Sequence, residues 1–317
     1  MLSTAIAEFM LIVCTGTYGH HASISQKQTL VPCSDMCGTI VSSKSSTWES
    51  GQRVISIFNQ SHLTGQIQKK DMTSGLGLPL PGVLTEYRCF PAEGLVSAPE
   101  YLTDEEASCL PIASVTAWMS INGLRPIGQP AQGGETVLLQ GTGGVSIAGL
   151  QIAHAGGLKT IVTSSSDNKL DQAKKLGADH AINYNSTPDW QEEVTRITDG
   201  DGAHIILETG GAKTLRKSFD CLAMGGRINC IGYLSGKQDD PSDRVNVNVL
   251  ALVKNATLKG ILNGPRDRFE EMVAFYEKHQ IHPVIDKVFE FEEAKEAFTY
   301  LASGAHFGKV VVKVSSQ

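Results

Sequence analysis

The chain has 317 residues, of which 41% are hydrophobic and 19% charged, with 32 glycines and a net charge of −6. Such a length can bury two domain cores, and the composition excludes a coiled coil or a disordered tail. A net negative surface repels a phosphate backbone, so nucleic acid is not an expected partner.

Near the start, Phe9-Met10-Leu11-Ile12-Val13 has the apolarity of a secretory core. No basic residue precedes it, however, Glu8 adjoins it, and no small-residue cleavage pattern follows. No apolar run approaches the roughly 18 residues of a membrane span. The seven cysteines are odd in number and scattered, as suits reduced thiols. The expectation is a soluble, cytoplasmic protein with no membrane partner. Residues 30–97 read as short strands and turns, with strand candidates at 54–58, 87–90 and 95–96 and a Gly/Pro-rich loop at 75–82. Thr103 and Glu106 have capping-box spacing ahead of a buried helix over 107–119. Pro126 and Pro130 then interrupt the chain.

From 136 onward strand and helix alternate. Strands are predicted at 136–140, 160–163, 181–184, 203–207 and 227–231, and helices at 143–155 and 215–222. A further helix opens near Ser166, aligns Leu170, Ala173 and Leu176, and ends at Gly177. Another takes Thr187 and Pro188 as N-cap and first residue, with Trp190, Val194 and Ile197 as its apolar stripe. Repeated strand–helix–strand units imply an α/β fold with a doubly wound parallel (Rossmann) sheet.

The strongest motif is Val137-Leu138-Leu139-Gln140-Gly141-Thr142-Gly143-Gly144-Val145-Ser146. Gly141 permits the sharp turn from strand to helix, and Gly143 lets the backbone approach a pyrophosphate. The helix N-terminus then offers that anion free N–H groups and a positive dipole. Ser146 stands where a third glycine is usual. About 20 residues on, an NAD-binding chain places an acid at the end of the second strand. Here the chain reads Thr163-Ser164-Ser165-Ser166 with Lys169 one turn later. Hydroxyls and an ammonium suit the 2′-phosphate of NADP(H). Asp167 is the alternative, as a ribose ligand, with Lys169 then an ordinary solvated lysine.

With these segments in view, the chain resembles the medium-chain dehydrogenase/reductase family, in its zinc-free quinone-oxidoreductase-like branch. The resemblance runs from about Gly16 to Val314 and is most specific at 30–38, 102–118, 136–146, 164–184 and 306–311. It implies a split, β-rich GroES-like catalytic domain (1–115, completed by 264–317) around a Rossmann domain at 116–263. By the same resemblance Thr116 and Val145 pack near the nicotinamide, and Ser165, Lys169 and Tyr184 surround the adenosine phosphate. Leu262-Asn263 line the nicotinamide pocket, and Lys309 reaches the cofactor phosphates. Core packing is the alternative for the apolar members and for Thr116. The family's zinc-binding Gly-His-Glu is replaced by Cys33-Ser34-Asp35, and the four-cysteine lobe is absent from 55–95. Cys33, Cys37, His20 and His21 match no common zinc spacing, so no metal is expected. The family's first 40–50 residues also find no counterpart in residues 1–8, and a strand edge normally covered is expected to be open.

The implied function is an NADPH-dependent oxidoreductase transferring hydride to a conjugated carbonyl, an enone or a quinone, without zinc. Tyr18, in a segment resembling the family's Gly-x-Tyr, is the candidate proton donor, a surface tyrosine being the alternative. An alcohol dehydrogenase working oxidatively and a non-catalytic NADPH-binding protein remain alternatives. The expected partners are a small-molecule substrate and, optionally, a second copy of the chain.

Overall fold

A computed structural model describes residues 2–14, 30–238 and 246–315. In chain order the elements are β1 (Leu2–Ile6), α1 (Phe9–Cys14), β2 (Asp35–Thr39), β3 (Arg53–Ser56), β4 (Leu95–Ser97), α2 (Asp104–Ser108) and α3 (Val115–Asn122). Then come β5 (Thr136–Gln140), α4 (Gly144–Ala155), β6 (Lys159–Ser164), α5 (Asp167–Lys175), β7 (His180–Asn183), α6 (Trp190–Ile197), β8 (Ala203–Glu208), α7 (Leu215–Asp220) and β9 (Leu222–Cys230). The chain closes with α8 (Val247–Lys254), β10 (Thr257–Gly260), α9 (Arg266–His279), β11 (Ile285–Glu290), α10 (Ala294–Ala302) and β12 (Lys309–Ser315). Two compact units result: Met1–Val115 with Asn263–Gln317, and Thr116–Leu262.

The first unit is built on a six-stranded sheet of order β11-β12-β1-β2-β3-β4. Its strands alternate faces. Ile6, Met36, Val310 and Val312 enter the main core with Met10, Trp48, Leu76 and Phe289, while Ala5 and Val311 face Cys109 on the other side. Arg53 on β3 reaches the first turn of α2, where its Nε donates to Asp104 Oδ1 at 2.8 Å and its Nη2 to the Leu102 carbonyl at 2.9 Å.

The opening residues behave differently from the expectation of an open edge. β1 pairs antiparallel with β12 on one side and β2 on the other, so these two strands are joined through it. One of its partners, β12, lies some 300 positions away in sequence, so no local pattern announces that pairing.

The second unit holds a six-stranded sheet of order β10-β9-β8-β5-β6-β7 in which all five pairings are parallel. This is the doubly wound architecture expected from 136 onward. Leu138, Ile161, Ile206 and Ile228 from its strands pack with Trp190, Val194 and Phe219 from α6 and α7.

Three local expectations are corrected. The helix expected over 107–119 is α2, a π-helical turn at Leu110–Ser114 and α3, because Pro111 lacks the N–H that regular pairing needs. The capping box ahead of it is present, with Glu106 N–H on Thr103 Oγ1 at 3.2 Å and Thr103 N–H on Glu106 Oε2 at 2.9 Å. Residues 87–90 are irregular: Tyr87 is exposed, and Arg88 turns back to the carbonyls of Pro81 and Gly82. Asp189, not Thr187, stands at the N-cap position of α6, and its side chain makes no capping bond. Among the described residues, no helix is long and apolar enough to cross a membrane.

If β1 is integral to the first unit, Ile6→Ala should destabilise the protein by about 2–5 kcal/mol, the usual cost of truncating a buried aliphatic side chain. Urea unfolding checks this, and a change below about 0.5 kcal/mol, typical of a surface position, would show that the strand is not seated.

Candidate active site

β5 ends at Gln140, and the chain turns at Gly141 with φ +80°, a conformation that favours glycine. Gly143 serves as N-cap of α4 without a side-chain cap, so the N–H groups of the first turn, from Gly144 and Val145 onward, have no intrahelical acceptor. A helix opened this way offers its dipole and N–H groups to an anion. Val145 is half-buried beside it.

Ser146 is buried, and its hydroxyl donates to the Gln140 carbonyl at 2.7 Å, closing the turn on itself. The close approach usually served by a third glycine falls one turn later. A Cβ on Gly149 would lie 2.8 Å from Leu139 Cδ2 and 3.0 Å from Leu207 Cδ2, so this glycine lets α4 lie flat on β5 and β8. The sequence signal was a glycine three residues beyond Ser146, on the inward side of the helix.

At the end of β6, Ser164 is buried and its Oγ accepts the Ser166 N–H, while Ser165 is exposed. Ser166 caps α5 by accepting the Lys169 N–H. Tyr184 follows β7 directly, is 40% exposed, and donates its N–H to the Ser164 carbonyl at 3.0 Å. Asn185 Nδ2 donates to the Ser165 carbonyl at 3.1 Å. These bonds bring the Ser165 and Tyr184 turns side by side, with Lys169 in the first turn of the adjoining helix. The alternative ribose ligand, Asp167, accepts a 2.7 Å bond from Asn183 Nδ2.

Thr116 is buried at the start of α3, whose carbonyls at Ser120 and Ile121 accept from Asn229 and Arg227 of β9. Leu262, the last residue of this unit, is half-exposed. Asn263 adopts φ +92° and donates through Nδ2 to the Pro111 and Ile112 carbonyls at 3.0 and 3.3 Å. The π-helical turn is thereby held from one side.

It is held from the other by Asp35. This fully buried carboxylate accepts the Ile112 N–H on Oδ1 at 2.9 Å and the Ser34 hydroxyl on Oδ2 at 3.2 Å. Burial pushes its pKa up to about 6, against the opposing pull of the Lys309 ammonium, the Ile112 N–H and the Ser34 hydroxyl. Lys309 is itself 6% exposed, with Nζ donating to the Ile6 carbonyl at 3.1 Å. Its ammonium is directed into the first unit rather than out toward solvent. Burial raises the Cys33 and Cys109 thiols well above their ordinary range. Tyr18, His20 and His21 lie outside the described residues.

A zinc ion fits these residues poorly. The ligand-histidine position holds Ser34, whose hydroxyl is engaged by Asp35. Cys37 is buried against Asp104 and Arg53. Among the described residues no group of three His, Cys, Asp or Glu side chains could hold a metal ion. A dinucleotide fits the second unit well, in the uncapped α4 N-terminus, the glycine at φ +80° and the turns after β6 and β7.

Comparison with known proteins bears on both units. The profile of the alcohol dehydrogenase GroES-like domain matches residues 6–100, and that of the zinc-binding dehydrogenase matches 144–278. A zinc-type alcohol dehydrogenase-like protein of Schizosaccharomyces pombe is 41% identical over 96% of this chain and 86% of its own. A crystal structure assigned as an alcohol dehydrogenase of Sinorhizobium meliloti 1021 superposes with a TM-score of 0.87 at 37% identity, covering 98% of this chain and 89% of that one. An NAD-dependent alcohol dehydrogenase gives 0.83 at 27% identity, covering 99% and 90%.

The buried acid sets a pH dependence. A folded pKa near 6, above the ordinary carboxylate value, means that the folded chain keeps a proton the unfolded chain has lost between about pH 4 and 6. Asp35 therefore favours the folded state most at the acid end of that window, and its contribution falls as pH rises through it. Asp35→Asn keeps an oxygen for Ile112 but cannot ionise, so its urea midpoint should change less between pH 4 and 6 than that of the wild type. Parallel profiles would contradict this.

Proposed function

The chain belongs to the medium-chain dehydrogenase/reductase superfamily and is an oxidoreductase of that type, and from this premise we propose that it is an NADPH-dependent, zinc-independent reductase of conjugated carbonyl compounds. The observation that carries the cofactor choice is the turn after β6. Hydroxyls at Ser164, Ser165 and Ser166 stand there with Lys169, and the nearest acid, Asp167, is bonded to Asn183. A 2′-phosphate finds donors in this arrangement, whereas a ribose diol would need a free carboxylate.

When bound, NADPH supplies a hydride to the electrophilic carbon of the acceptor. The residues of the chain do the remaining work. The Gly141–Val145 turn takes the pyrophosphate, and Ser165, Lys169 and Tyr184 take the adenosine phosphate. Thr116, Val145 and Leu262 of the second unit take the nicotinamide end. The S. pombe relative carries a zinc-type name; Ser34 at the ligand-histidine position, its hydroxyl donated to Asp35, supports the zinc-independent reading. Without a Lewis acid to polarise a simple carbonyl, enones and quinones are the easier acceptors, because conjugation itself spreads the developing charge.

Two measurements test the reading. Lys169→Ala should weaken NADPH binding roughly ten- to a hundredfold, the effect of removing a charge-assisted bond, and leave NADH binding nearly unchanged. Equal affinity of the wild type for NADH and NADPH, or equal losses for both in the variant, would return the ribose role to Asp167. Elemental analysis of the dialysed protein should find far less than one zinc per chain. Stoichiometric, dialysis-resistant zinc would end the zinc-independent assignment.

A further inference from the structure

One carboxylate in the second unit is buried where solvent would be expected. Glu208, the last residue of β8, is 1% exposed. Its Oε1 accepts the N–H groups of Gly210 and Gly211, both at 2.9 Å, and the Thr214 hydroxyl at 2.5 Å. Its Oε2 accepts the Gln140 amide at 2.8 Å and the Ser218 hydroxyl. Gln140, the last residue of β5, is also buried, and its Oε1 accepts from the N–H groups of Thr209 at 3.2 Å and Gly210 at 3.3 Å. Its carbonyl receives the hydroxyls of Ser146 at 2.7 Å and Thr209 at 3.0 Å.

The location gives this network its meaning. β5 and β8 are neighbours at the point where the strand order reverses, with β6 and β7 on one side and β9 and β10 on the other. Ligands of open α/β sheets bind outside the carboxyl ends of the strands at such a point. Glu208 and Gln140 cross it side chain to side chain and tie the Gly141 turn to the Gly210–Gly211 turn. The carboxylate also fills the concavity made by two successive N–H groups, a shape that otherwise accepts a ligand anion. The uncapped turn of α4 is left to take the phosphates.

We propose that Glu208 is a positioning residue for the dinucleotide, acting through Gln140 to hold the floor of the nicotinamide–pyrophosphate end in its binding shape before the cofactor arrives. The proposal rests on a dinucleotide occupying this unit and is independent of whether it is NADPH or NADH. The adenosine end is assigned instead to the turns after β6 and β7.

The test is calorimetric titration of NADPH and of 2′,5′-ADP, which carries the adenosine half alone, into the wild type and Glu208→Gln. In the variant one amide N–H₂ must face the donors that now face a carboxylate. NADPH affinity should fall roughly tenfold or more, while 2′,5′-ADP affinity stays within about twofold. Should Glu208→Gln not fold, Gln140→Met, which removes one of the five donors to the carboxylate, should show the same split. Unchanged NADPH affinity, or equal losses for both ligands, would overturn the proposal and leave Glu208 as a brace for the fold alone. A wild type preferring NADH would overturn the NADPH reading instead, and the same comparison would then be made with NADH and 5′-AMP.

Discussion

Parallel strands that end along one edge of a sheet can present a ligand site only if the chain leaves that edge sharply and returns close by. In the second unit this constraint falls on Gln140-Gly141. The strand stops with its last side chain locked to Glu208, and the next residue turns with φ +80°. Three residues later α4 begins uncapped, and Gly149 allows the helix to lie against β5 and β8 without a Cβ between them. A side chain at Gly149 would lift the helix, and its N–H groups would no longer lie over the strand ends. The anion site, the sheet packing and the chain reversal therefore depend on one turn.

The first unit poses a different problem, since it buries a carboxylate, an ammonium and two thiols near one another. Asp35 and Lys309 are both removed from water, and each finds backbone partners: Ile112 N–H for the acid, the Ile6 carbonyl for the base. Buried ionic groups are poor sources of stability but good at fixing one arrangement over others. Here the arrangement fixed is the π-helical turn, gripped by Asp35 through its N–H and by Asn263 through its carbonyls. In this chain Ser34 and Asp35 are spent on each other and on the backbone.

Much of the second unit was legible because parallel strands buried on both faces read as short apolar runs, separated by helices with their own caps. The turn at Gly141 and the cap at Ser166 are local chemistry and could be read directly. What could not be read depends on partners distant in sequence. β1 is a strand because β12 and β2 flank it, and nothing in Leu2–Ile6 alone says so. Residues 87–90 read like a strand, but among the described residues no strand pairs with them, and Tyr87 is exposed. The site was legible to the same degree. The glycine turn and the Ser164–Ser166 turn with Lys169 were read as candidates from the residues themselves and Tyr184 only through the family resemblance, whereas Gly149 and the buried placement of Asp35 and Glu208 were not read at all. An acid at a strand end ordinarily faces water, and only the five donors around Glu208 show otherwise.

The reaction proposed for this chain passes hydride from a nicotinamide to a conjugated carbon without help from a metal. The most direct test uses NADPH deuterated at C4, an α,β-unsaturated ketone and chelator-treated protein, with the product analysed by mass spectrometry and NMR. The expected product is a saturated ketone with deuterium on the carbon β to the carbonyl, formed at the same rate with and without added zinc. Deuterium on the carbonyl carbon of an alcohol product, or transfer that appears only when zinc is restored, would contradict it.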